Sequence, residues 1–167
     1  SEEYLGYTRL NLQRMGRWNK TSKVSAPLEQ LMRTVNRPQV WLLITEAWCG
    51  DGAQSIPHLA KLAALNSLIS LKIVLRDEHT ELMDAYLTNG ARSIPKLIAI
   101  TADLQQELFT WGPKPQYLLD RHASFKQNPE GLSYLEFKEQ VHLWYAKNKQ
   151  KDLETEIYPL ISSTLIP

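Results

Sequence analysis

The sequence predicts an α/β domain: a mixed central sheet with helices on both faces and extra helical segments at the N- and C-terminal ends. Three observations carry this. Residues 40–45, Val-Trp-Leu-Leu-Ile-Thr, form an unbroken apolar run rich in β-branched and aromatic side chains, the pattern of a strand buried on both faces. Strand patterns at 70–75 and 96–101 alternate with helical stretches, and such crossovers imply parallel pairing. The short Ala102-Asp103 turn then joins 96–101 to 104–111 as an antiparallel hairpin.

The elements follow in order. Residues 4–18 mix Tyr4, Leu5, Tyr7, Leu12, Met15 and Trp18 with charges and read as a helix leaning on the domain. Ser25 is a capping residue for a helix with Pro27 in its first turn, ending before Arg37-Pro38. After the first strand, 48–52 reads as a turn and 53–68 as a helix kinked at Pro57. Residues 80–89 form a helix stopped by Gly90. Pro115 starts another helix. Ser133 and Glu136 form a capping box, with Phe137, Val141, Trp144 and Tyr145 on the apolar side of the helix it opens. The tail beyond Lys149, with Leu153, Ile157 and Leu160, reads as a surface segment docking on the domain.

The chain has 167 residues, read as one domain over 1–167 with its fold core at about 26–145. Lys plus Arg number 19 and Asp plus Glu 18, a net charge of +1 that argues against a nucleic-acid footprint or a basic membrane face. No apolar run approaches the roughly 20 residues that span a bilayer, and the N-terminus lacks the apolar core of a signal peptide. The single cysteine, Cys49, permits no internal disulfide, so a reducing compartment, the cytoplasm, is expected. His58, His79, His122 and His142 show no metal-ligand spacing, so no metal site is expected, and His58 reads as solvent-exposed. Glu46 reads as a solvated strand-end carboxylate, and 147–151 as a solvated helix end.

Trp48-Cys49-Gly50-Asp51 at the end of a buried strand resembles the Trp-Cys-Gly-Pro-Cys site of thioredoxins. Pro57 matches the proline that kinks their active-site helix, Ser93-Ile94-Pro95 the segment ending in a cis-proline beside the site, and Gly112 a glycine after the hairpin strand. The resemblance covers roughly residues 26–145 and implies a thioredoxin fold. Two positions depart from it. Gly52 stands where the family has its second cysteine, and Leu43 where it buries an aspartate that assists proton transfer. Without a resolving thiol the chain cannot complete dithiol exchange alone.

Cys49 is therefore the candidate catalytic residue. A helix beginning near Gly50 would place its sulfur against unpaired N–H groups and the helix dipole, predicting a thiol more acidic than the free value of roughly 8.5. Gly50 and Gly52 would leave open space around it. The resemblance implies that Pro95, if cis, presents the backbone of Ile94 to an extended thiol-bearing chain or to glutathione. Asp51 opposes thiolate formation, and the turn holds no lysine to compensate; alternatively Asp51 caps the helix.

Three functions are compatible with these residues. The first is monothiol exchange through Cys49, with protein or small-molecule thiols as partners and glutathione as the resolving thiol; no other cofactor is expected. The second is a redox-inactive module binding a protein or peptide through Trp48, Gly50, Asp51, Gly52, Ile94 and Pro95, with Trp111 as a further exposed anchor. The third is an iron–sulfur cluster shared between two chains.

Overall fold

The computed structural model describes residues 1–165. In chain order the elements are α1 (Glu2–Thr21), α2 (Ala26–Thr34), β1 (Gln39–Thr45), α3 (Gly50–Ala64), β2 (Ile69–Leu75), α4 (Thr80–Asp84), β3 (Lys96–Thr101), β4 (Glu107–Trp111), α5 (Gln116–Gln127), α6 (Tyr134–Asn148) and α7 (Lys151–Ser162). The sheet order is β2-β1-β3-β4.

Among these strands only β1 and β2 are parallel; β3 runs antiparallel to both β1 and β4. This corrects the expectation of parallel crossovers throughout. Helix α4 has five residues, too few to carry the chain back along the sheet. The connection therefore stays at one end, and β3 starts where β1 finishes, with Lys96 opposite Ile44. That topology brings Ile94-Pro95 beside the turn after β1.

Local signals set most boundaries. Pro27 sits in the first turn of α2, although the Ser25 side chain makes no capping bond. Ser133 and Glu136 form the reciprocal capping box of α6. Helix α3 starts at Gly50 rather than Ala53 and stops at Ala64 rather than Leu68. Helix α4 stops at Asp84, and Asn89 and Gly90 both adopt positive φ in the loop that follows. Residues 104–106 belong to the hairpin loop, not to β4.

The main core lies between one face of the sheet and α2, α3 and α7. It includes Leu28, Met32, Trp41, Leu43, Leu59, Leu62, Leu97 and Phe109. The tail is not a surface segment: Leu153, Ile157 and Ile161 of α7 are at most 1% exposed and belong to this core. Ile161, rather than Leu160, completes the helical stripe, and burying such a side chain contributes about 1.5–3 kcal/mol. The 147–151 stretch is not simply a solvated end. Lys149 and Gln150 both take left-handed conformations between α6 and α7, and buried Gln150 donates Nε2–H to Gln54 O at 2.7 Å. A smaller cluster on the opposite face joins Ile44, Met83, Ile94, Ile98 and Cys49.

Candidate functional site

Cys49 follows a tight turn after β1, where its N–H donates to Glu46 O at 3.0 Å. It is the N-cap of α3, and its sulfur accepts the Gly52 N–H at 3.3 Å. The thiol donates to Ile94 O at 3.3 Å and is only 7% exposed. Both bonds hold the sulfur between the helix start and the loop before β3.

The electrostatic expectation is reversed. The Cys49 thiol is pushed up to about 11, first by burial and then by the neighbouring Asp51 carboxylate; the Gly52 N–H and Lys114 oppose this and are outweighed. A helix terminus favours an anion only where the ion keeps enough solvation.

The glycines do not leave space. A Cβ on Gly52 would lie 2.8 Å from Thr45 Oγ1 and 3.2 Å from Ile56 Cδ1, and one on Gly50 3.1 Å from the His142 ring. Thr45 Oγ1 is buried without a hydrogen-bond partner. It fills the space where the resemblance places a second cysteine.

Asp51 is not the helix cap, since Cys49 takes that place. Asp51 pairs with Lys114 Nζ at 2.8 Å and accepts the Tyr145 hydroxyl at 2.7 Å. The compensating lysine missing from the turn arrives from the loop after β4. That loop is pressed onto the Pro95 segment: Gly112 has φ +110°, and a Cβ there would collide with the Pro95 carbonyl oxygen. The Ile94-Pro95 and Gly112-Pro113 peptides are both cis. Lys96 Nζ, mostly buried, donates to Gly112 O at 3.2 Å.

Helices α1 and α6 cover the site. Asn11 Nδ2 donates to Ala47 O at 3.0 Å. His142 Nδ1 meets Gln54 Nε2 at 3.0 Å, and Trp18 Nε1 donates to Gln54 Oε1 at 2.5 Å. Burial, then Arg14, pushes His142 down to about 4. The Tyr145 hydroxyl is raised by burial and by Asp51. Trp48 stacks on Tyr4 at 5.0 Å, and the Arg76 guanidinium lies 4.9 Å from its ring centre. Ile94 and Pro95 are buried. Trp111, expected to be an exposed anchor, is 5% exposed and donates to Glu156 Oε2 at 2.9 Å. Glu46 accepts the Asp77 N–H at 2.9 Å instead of being merely solvated.

His58 is fully buried, contrary to the expected exposure. Its Nε2 lies 2.8 Å from Glu154 Oε1 and its Nδ1 2.5 Å from Ser22 Oγ. A carboxylate only accepts, so Nε2 carries the proton and Nδ1 accepts the Ser22 hydroxyl. Burial lowers the His58 pKa, which suits this neutral form. The cleft nearby is lined by Glu154, Lys151 and Tyr158 but not by Ser22, so the Ser-His-Glu line joins helices and presents no nucleophile.

Among the described residues, no group of three or more His, Cys, Asp or Glu side chains is arranged to hold a metal, and no helix is long and apolar enough to cross a membrane. Sequence reasoning missed Lys114, His142, Tyr145 and Gln54. Lys114, His142 and Tyr145 lie far from Cys49 in the chain; Gln54 is five residues after it, but no motif marks any of the four.

The thioredoxin family model matches residues 1–126. The chain belongs to the thioredoxin family. No curated protein matches it. Among solved structures, a protein of unknown function from Pseudomonas aeruginosa is similar, with 16% identity, a TM-score of 0.63, and coverage of 95% of this chain and 83% of that one. An HIV epitope scaffold is also similar, with 15% identity, a TM-score of 0.62, and coverage of 96% and 88%. At these identities the likeness shows the fold alone. This thioredoxin-family chain thus keeps the fold and one cysteine, with Gly52 in place of the second.

Proposed function

We propose that this domain is a redox-silent thioredoxin-fold binding module in which Cys49 remains a thiol. The carrying observation is the buried Cys49 thiol, bonded to Ile94 O and raised to about 11. At neutral pH only about one molecule in ten thousand would hold the thiolate, the form that attacks a disulfide. A protein or peptide partner meets the partly exposed stack of Tyr4, Trp48 and Arg76 beside the Ile94-Pro95 segment. A lone thiol without a disulfide framework suits the cytoplasm.

The second reading is monothiol exchange, favoured by the Gly52 N–H on the sulfur. The Cys49 thiolate would attack a disulfide and form a mixed disulfide while the other sulfur leaves as a thiolate. An external thiol such as glutathione would then release Cys49. The deciding experiment is the pH dependence of Cys49 alkylation, with mass spectrometry after exposure to oxidised glutathione. Alkylation rising only well above pH 9, with no adduct, is expected. A thiol titrating below the free value of about 8.5, with one adduct removed by excess thiol, overturns the binding reading in favour of exchange.

A further inference from the structure

Strand β2 is an edge of the sheet, and its apolar strip runs out of the core to the exposed Ile73 and Leu75. Gln39 N–H donates to Leu68 O and Arg76 N–H to Thr45 O, which fixes the alternation along β2. Residues 70, 72 and 74 turn their peptide groups towards β1, while Leu71, Ile73 and Leu75 turn theirs outwards. Among the described residues, no hydrogen bond reaches the outward groups of Leu71 or Ile73.

The side chains alternate too. Ile69 is in the main core and Leu71 packs against it. Ile73 and Leu75 continue on that same face but are 55% and 39% exposed. A free edge bearing apolar side chains is a template for another strand, and such edges are ordinarily blocked.

We propose that two copies of this chain pair antiparallel through β2 about a two-fold axis at Ile73, joining their sheets into one. Charge selects this register. Centred on Ile73, Leu71 faces Leu75 of the other copy on the core face. On the opposite face Lys72 meets Val74, and Ser70 meets Arg76, so no like charges oppose. Centring one residue earlier sets Lys72 against Lys72. Centring one residue later sets Lys72 against Arg76. Each neighbouring register opposes two cations, whereas the Ile73 register opposes none and keeps Leu71, Ile73 and Leu75 of both copies paired on the core face. The interface is isologous and closes on itself, so assembly stops at the dimer.

The test is the mass of the full chain in solution across concentrations up to the millimolar range. The expected result is a species of twice the 19.2 kDa chain. Ile73→Lys should abolish it while leaving the far-ultraviolet circular-dichroism spectrum unchanged, because Ile73 is exposed in the single chain. In a Cys49→Ser background, Ile73→Cys should crosslink into a covalent dimer on mild oxidation, and Lys72→Cys should not, because Lys72 faces Val74 in this register. A chain that stays monomeric throughout, with the edge left to a foreign strand or to solvent, overturns the proposal. So does a dimer that survives Ile73→Lys, or equal crosslinking at the two positions.

Discussion

Helix α3 carries a titratable side chain at each end of its buried stretch. Cys49 caps its N-terminus, and His58 lies two turns further on. Both are buried, and both have partners from distant parts of the chain. His58 has Ser22 on one ring nitrogen and Glu154 on the other, so every polar atom of the ring is satisfied. Cys49 has weak sulfur bonds to Ile94 O and the Gly52 N–H, and the Asp51 carboxylate beside it opposes a thiolate. The difference separates two uses of burial. At His58 it is matched by hydrogen bonds and joins α1, α3 and α7. At Cys49 it is not matched for an anion, and so it suppresses the thiolate.

The largest effect should come from the histidine end. Glu154→Ala strands His58 Nε2–H and the Ser25 N–H, and should cost about 2–3 kcal/mol in urea denaturation. Cys49→Ala should cost only about 1 kcal/mol, since it removes weak sulfur bonds and a small apolar group. Equal losses would break the comparison. Gly52→Cys comes next. Its Cβ meets Thr45 Oγ1, and the variant should lose about 2 kcal/mol, with Thr45→Ala in the same chain restoring part of it.

Acid sharpens the contrast. The His142 pKa is about 4 in the fold against an ordinary 6.5, so the unfolded chain binds its proton first. Stability from this group is complete above pH 6.5 and falls as the pH drops towards 4. The loss should be about 1–2 kcal/mol after solvent screening, and His142→Asn should flatten that stretch of the pH–stability curve. The smallest effect is on rate. Asp51→Asn removes the negative charge beside the sulfur but keeps an acceptor for Tyr145. Cys49 alkylation at mildly alkaline pH should rise by about tenfold or less. An unchanged rate would assign the high thiol pKa to burial alone.

Much of the scaffold was legible because its signals are local. The apolar run of β1, Pro27 in the first turn of α2 and the Ser133–Glu136 capping box each act within a few residues. The local pattern put the start of α3 at Ala53; the place of Cys49 at a helix start near Gly50 followed only from the resemblance to thioredoxins. The α7 core stripe was legible in spacing but not in depth, because exposure depends on what packs over a helix.

The sequence by itself determined that this is a thioredoxin-family α/β chain with one thiol at the head of α3 and no second thiol to resolve it. Only the tertiary structure decided what that thiol is. Lys114, Tyr145, His142 and Arg14 lie far from Asp51 and Cys49 in the chain, and the fold alone brings them together. The acidity of a group depends on the solvent and charges around it in space, whereas a motif records only its neighbours along the backbone.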